Sequence, residues 1–380
     1  MNRRLLSLSL IVSILATVEL FGADSIEEAF EKAKVDGYLR VGYQRHDSEN
    51  DLSLGGKLHF ETEDIDGTSA GVALYSTNAF LGKNDSRGLT FFDSKHKAYS
   101  ILGEAYIKGV LGNSTLILGR QALDTPFADG DDVGMIPNLF EAYTFINSDI
   151  PNTTIIASWL SKGSGIDFDE PEKFARLNED NGVQVIGVNY EAMNNTSLSS
   201  WFYNLKDEAK LSFIQLDYGF DMDNLVTNMA LQYSIEDFEN REDATIMGAS
   251  LSVSDTQKGF TVIGAYNKSS DAEATNGFGG GPFFTNSEHL TLPDAGADGE
   301  ILFYAIEWDL GFVGVDGLSI FVSKADLSDG EDHEGDEVDI VVHYDVNKRL
   351  SLDIIHSQID NSDISGDKFD NTRAFINYTF

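Results

Sequence analysis

The chain has 380 residues, with 63 Asp and Glu against 26 Lys and Arg, and no cysteine. A formal net charge of -37 repels phosphate backbones and attracts cations, so nucleic acid is a poor partner. The absence of cysteine excludes a disulfide framework and thiolate metal sites. Residues 1–22 read as a secretory signal peptide, with Arg3 and Arg4 ahead of an apolar stretch over 5–18. No later run reaches the roughly 18 to 20 apolar residues of a membrane helix, so a mature chain that spans a membrane does so as strands.

Over 23–36 a short helix is expected at the periplasmic side. Ser25 is placed to cap it, Glu28 stands three residues on, and Ile26, Ala29, Phe30 and Ala33 share a helical face. From 37 to 380 the period falls to two. Leu39, Val41 and Tyr43 oppose Arg40 and Gln44, and Leu58 and Phe60 oppose Lys57, His59 and Glu61. Late in the chain Leu302, Tyr304, Ile306 and Trp308 oppose Glu307 and Asp309, while Val338, Ile340, Val342 and Tyr344 oppose Asp339, His343 and Asp345.

Connectors alternate in length. Short turns are expected at 64–67, 111–114, 148–152, 191–196, 221–224, 254–259, 311–317 and 345–349, and long acidic connectors at 81–97, 161–181, 269–299, 328–337 and 361–370. The fold class that follows is all-β, a transmembrane antiparallel β-barrel with short periplasmic turns and long outer loops. The segments number about eighteen strands, or sixteen if two weak segments near 201–220 fail. The last strand ends on an aromatic: Ala374, Ile376, Tyr378 and Phe380 share one face against Arg373, Asn377 and Thr379, and Phe375 breaks the alternation. It is expected to close the ring on the first strand. A soluble sandwich alternates too, but aromatics near strand ends suit the girdles of a bilayer.

A lumen of this width needs a folded-in element to be selective. Residues 119–138 hold two prolines and several glycines and aspartates, which precludes a simple hairpin. This third loop is expected to fold inward, setting Asp124, Asp129, Asp131 and Asp132 opposite Arg120 and Arg40 of the wall and favouring cations. The seven histidines form no helical metal pair, and His356-Ser357 point to opposite faces and make no dyad. The run from Asp129 lacks an oxygen ligand at Val133 and the closing Glu of an EF-hand, which leaves only a loosely bound calcium open and no other cofactor. The competing readings are a barrel enzyme of lipase or protease type, and a secreted acidic β-rich calcium-binding or adhesion protein.

The segment 25–40 resembles the start of mature OprD-type porins, as do Gly103-Glu104-Ala105-Tyr106, Gly119-Arg120-Gln121 with Asp124-Thr125-Pro126, and Met135-Ile136-Pro137-Asn138 with Phe140-Glu141-Ala142. Within that family the look is to the major porins of Campylobacter-like bacteria. The resemblance implies an outer-membrane, 18-stranded channel for small hydrophilic solutes and ions, exported through the periplasm, with no enzymatic activity and often a homotrimer. It also implies lipid and lipopolysaccharide as neighbours, and Tyr378 and Phe380 as a signal to the barrel-assembly machinery. Where the family tends to carry an arginine before Met-Ile-Pro, Gly134 stands here, which weakens a basic ladder and agrees with cation preference.

Overall fold

A computed structural model describes residues 22–84, 90–193, 195–331 and 333–380. The signal peptide read from the sequence lies, but for Gly22, outside them. A helix α1, Ile26–Glu31, precedes the strands, and Ser25 Oγ caps it by accepting from the Glu28 amide at 3.2 Å. It ends earlier than the sequence pattern suggests, because β1 already begins at Lys34 inside the expected leader.

The strands are β1 Lys34–His46, β2 Glu49–Glu61, β3 Thr68–Asn84, β4 Tyr99–Leu111, β5 Ser114–Gln121, β6 Leu139–Asn147, β7 Thr153–Ser164, β8 Ala175–Arg176, β9 Val183–Met193 and β10 Thr196–Leu205. They continue as β11 Ala209–Met222, β12 Leu225–Phe238, β13 Ala244–Asp255, β14 Phe260–Ser270, β15 Glu300–Asp309, β16 Leu318–Ser328, β17 Glu334–Asn347, β18 Leu350–Asn361 and β19 Asp367–Thr379. The two-residue β8 only flanks β7; the other eighteen close a ring of antiparallel neighbours. Closure joins β19 to β1, from Tyr38 opposite Thr379 to His46 opposite Asn371. The carbonyl of Phe380 accepts from the Gly37 amide at 3.2 Å, so the pairing runs to the last residue.

Burial is inverted relative to a soluble protein. Leu39, Leu58, Leu231, Leu302, Ile340 and Ile376 are exposed on the outside, while Arg40, Gln44, Ser53, Asn267, Glu337 and Arg373 are buried inside. A surface so apolar needs lipid around it, since monomeric soluble proteins rarely expose such patches. Leu231→Arg tests this face: at the middle of β12 and 58% exposed, it is expected to cost roughly 2–4 kcal/mol in a bilayer. The same change on a water-facing surface shifts stability by only about 0.5 kcal/mol. Urea unfolding in lipid vesicles distinguishes the two, and an unshifted midpoint would place Leu231 away from lipid.

Turns at the end that holds α1 are tight. Asp66 and Gly67 adopt φ of 49° and 81°, the left-handed pair that a two-residue hairpin requires. At the other end, two expected long connectors are shorter than the sequence suggests. Half of each of the 328–337 and 361–370 segments is strand, because β17 begins at Glu334 and β19 at Asp367. The barrel's packed core sits inside the ring, where loops 122–138 and 271–299 and the described part of 85–98 meet the wall.

Candidate functional site

The inward loop begins later than the sequence suggests. Gly119 and Arg120 belong to β5, with Gly119 at φ 127°, and the loop proper is 122–138. It crosses the whole lumen. At one end Phe127 is fully buried, edge-on to Tyr203 of β10 and Phe213 of β11 at centroid distances of 5.3 and 6.1 Å. Its amide donates to Tyr203 Oη at 3.3 Å. At the other end Met135 and Ile136 pack with Phe91 of the 85–98 segment and with Phe375 of β19. Phe375, the residue that breaks the alternation of the last strand, is thus an inward residue that meets these loops. Gly42 of β1 makes room here, since a Cβ there would stand 2.6 Å from Met135 Sδ and 2.9 Å from the Phe91 ring. Strands β1 and β11 lie on opposite walls of the ring, so the loop is a bar rather than a fringe.

The bar is fastened at the closing seam. Arg40 Nη1 and Nη2 grip Asp132 Oδ1 and Oδ2 at 2.7 and 2.9 Å, Nη1 also donates to Gly134 O at 2.7 Å, and Nε donates to Asn377 Oδ1 at 2.8 Å. Two rings flank the guanidinium, Tyr38 at 4.9 Å and Phe375 at 5.2 Å. Arg373 of β19 donates to Val133 O at 3.1 Å and forms an ion pair with Glu288. Gln44 Oε1 accepts from the Thr90 amide and hydroxyl at 3.3 and 3.0 Å. Three segments distant in sequence therefore meet at the β1–β19 seam.

Loop 271–299 folds in beside the bar. The Phe278 amide donates to Phe127 O at 2.9 Å, and Asp129 Oδ1 accepts from the amides of Asp131 at 2.8 Å and Gly280 at 3.2 Å. A Cβ on Gly279 would stand 2.6 Å from the Asp129 carboxyl, so the glycine run there permits this close approach. On the wall side, Glu337 accepts from the amides of His289 at 3.0 Å and Leu290 at 2.6 Å. The sequence pattern left this loop as an outer connector and did not single out Arg373, Glu288 or Glu337. The Gly277–Gly281 run and the inward Phe375 were the signals available.

The six residues singled out from the sequence do not share one place. Asp132 and Arg40 form a direct pair. Asp129 and Asp131 lie where the two loops join, and Asp124 is half-buried at the start of the bar. Burial pushes the Asp129 carboxyl up to about 7, with the nearby Asp131 charge adding to it, and burial alone pushes Asp124 up to about 6. Arg120 is elsewhere. It shares the face of Leu116 and Leu118, which are exposed outward, and stands opposite Glu141 of β6, so it lies on the barrel's outer face near the loop end. A strand residue two positions from an outward leucine has no access to the lumen.

Two further lysines of the inner wall are each matched by a carboxylate. Lys57 meets Glu104 at 2.7 Å, and Glu104 also accepts from the Tyr75 hydroxyl at 2.6 Å. Lower down, Lys108 meets Glu61 at 2.6 Å, with Tyr106 donating to the same carboxylate at 3.0 Å. His356 pairs with Thr372 at 2.9 Å while Ser357 is buried on the opposite face of β18, so the two are apart. Among the described residues no three His, Asp or Glu side chains come together as a metal site.

A closed 18-stranded ring with a loop barred across its lumen is the frame of a channel. The family model for outer membrane porins of the OprD family matches residues 69–380. The chain belongs to that family. This OprD-family porin is an integral outer-membrane channel for small solutes, and porins of the family are channels rather than enzymes. Among solved structures, OpdK of Pseudomonas aeruginosa, crystallised with vanillate, superposes at a TM-score of 0.79 and 18% identity, over 92% of this chain and 99% of that one. OccAB4 of Acinetobacter baumannii gives 0.79 at 15% identity over 92% and 98%. OccK2 (OpdF) of P. aeruginosa, in complex with glucuronate, gives 0.76 at 17% identity over 92% and 98%. At these identities the likeness is one of fold. No curated protein matches the sequence.

Proposed function

We propose that this porin passes small hydrophilic solutes and ions with a preference for cations, through a constriction formed by the bar 122–138 with Asp124, Asp129, Asp131 and the Arg40–Asp132 pair. One observation carries the reading. Among the described residues, the four basic side chains Arg40, Lys57, Lys108 and Arg373 of the inner wall each stand against a carboxylate, respectively Asp132, Glu104, Glu61 and Glu288. Pairing cancels their fields at a distance, so these residues offer no rail of uncompensated positive charge.

Vanillate and glucuronate, which two similarly folded porins were crystallised with, are carboxylates. A channel selective for such anions gains from exposed guanidinium and ammonium groups, and here those groups are engaged. Asp217, on the inner face of β11, adds negative charge below the bar, held by Gln215 at 2.9 Å rather than by a base. The test is the reversal potential across a planar bilayer holding the purified protein in a potassium chloride gradient. A potential of cation-selective sign is expected; anion selectivity would overturn the reading while leaving the porin intact.

A further inference from the structure

Among the described residues, charge on the outward faces of the strands lies at the loop end, apart from Asp255 beside the short turn after β13. Below that end, those faces otherwise carry leucine, isoleucine, valine, aromatic and small residues, and at the loop end most charges come as matched pairs: Lys210 with Asp237, Lys268 with Glu300, Lys324 with Asp326 and Lys368 with Asp360. Asp326, Asp336 and Asp360 form an acidic row across β16, β17 and β18, and one other stretch carries the opposite excess. Arg120, Glu141, Lys162 and Arg176 stand directly opposite one another across β5, β6, β7 and β8. Cross-strand partners share a face, so the four form one outward row. It holds three bases; Glu141 and Asp180 are the acids that touch it.

The row is preorganised. Lys162 Nζ lies 2.7 Å from Glu141 Oε1, Arg120 Nη1 donates to Leu102 O at 3.0 Å, and the Arg120 guanidinium rests 4.2 Å from the Phe174 ring centre. Its side chains remain reachable, with Arg120, Lys162 and Arg176 exposed by 32, 34 and 63%. Its height is fixed by Tyr143 and Trp159, stacked at 5.4 Å on the same face. Glu141 is two residues beyond Tyr143, a strand rise of about 7 Å, which moves from the aromatic girdle into the headgroup layer.

We propose that this row seats the phosphate group of a phosphorylated glycolipid in the outer leaflet. Charge complementarity and continuity with the lipid-facing band select that occupant. Arg120 and Arg176 offer forked donors and Lys162 a point charge to phosphate oxygens, while the acyl chains lie along the apolar face below. Glu141 holds Lys162 and Arg120 apart and competes with the phosphate for both.

The experiment is native mass spectrometry of the purified porin in non-ionic detergent, titrated with bisphosphorylated lipid A, with the same lipid after enzymatic dephosphorylation, and with inorganic phosphate. Lipid A is expected to bind, the dephosphorylated lipid to bind about tenfold more weakly, and inorganic phosphate at equal concentration to leave lipid A bound. The pair Lys162→Gln with Arg176→Gln is expected to weaken lipid A by about tenfold or more. Glu141→Gln is expected to tighten it several-fold, a gain that misfolding does not produce. Equal binding of the two lipids, an unaffected double variant, an unchanged Glu141→Gln variant, or displacement of lipid A by inorganic phosphate would each overturn the assignment.

Discussion

Replacing Arg40 with alanine is expected to raise single-channel conductance, increase open-channel noise and shift selectivity further toward cations. The guanidinium is 7% exposed and holds both carboxylate oxygens of Asp132, the carbonyl of Gly134 and the side chain of Asn377. Without it one end of the bar loses its polar anchor to β1, leaving Arg373 and the Met135–Phe375 packing to hold that end. The cost is about 1–3 kcal/mol: breaking a fully buried pair costs more, but Asp132 is 37% exposed and lumen water screens part of the interaction. Selectivity gives the sign that widening alone does not. Arg40→Ala removes a positive charge and leaves Asp132, which favours cations, whereas Asp132→Asn leaves Arg40 and moves the reversal potential toward anions. Arg40→Lys is expected to fall between wild type and alanine, because an ammonium does not reproduce the two-pronged grip. Wild-type conductance and noise in Arg40→Ala would detach this pair from the constriction.

Much of the barrel is legible in the sequence, because lipid outside and water inside impose a period of two on every strand at bilayer depth. Leu39, Val41 and Tyr43 against Arg40 and Gln44 already assign the faces of β1, and the terminal Phe380 marks the stave that closes on it. Legibility fails where the physical contrast disappears. Beyond the lipid band both faces meet polar surroundings, so Glu334, Gly335, Asp336 and Glu337 read as loop although they pair as strand with β16 and β18. The loop-like motif around Arg120 points it at the lumen, while the count from Leu116 and Leu118 puts it outside. The docking of loop 271–299 was hidden for a different reason. It depends on Arg373 meeting Glu288, and Glu337 meeting the amides of His289 and Leu290, over separations that no local pattern encodes. Phe375 was the exception, since an aromatic on the polar face of a strand has to bury itself against something inside.

Cation preference is expected to rise as pH increases from about 5 to about 8, with its midpoint near 6 to 7. An ordinary aspartate titrates near 3.9 and would leave selectivity flat across that range. Here burial pushes Asp129 up to about 7 and Asp124 up to about 6, so both lose much of their charge at mildly acidic pH. Each proton gained at the bar removes a negative charge from the constriction, so the reversal potential moves toward zero on acidification. Loop docking changes in the opposite sense. The folded protein holds the neutral acid while the unfolded chain ionises above about 4, so this contribution to stability falls as pH rises from about 4 to about 7 and is constant above. Asp129 nevertheless accepts from the amides of Asp131 and Gly280, bonds that the carboxylate strengthens, and these limit the loss. Asp129→Asn keeps an acceptor for those amides and removes the charge, so it is expected to abolish the upper part of the transition and leave the part due to Asp124. A reversal potential that stays constant from pH 5 to pH 8 in the wild-type protein would remove both carboxyls from the ion path.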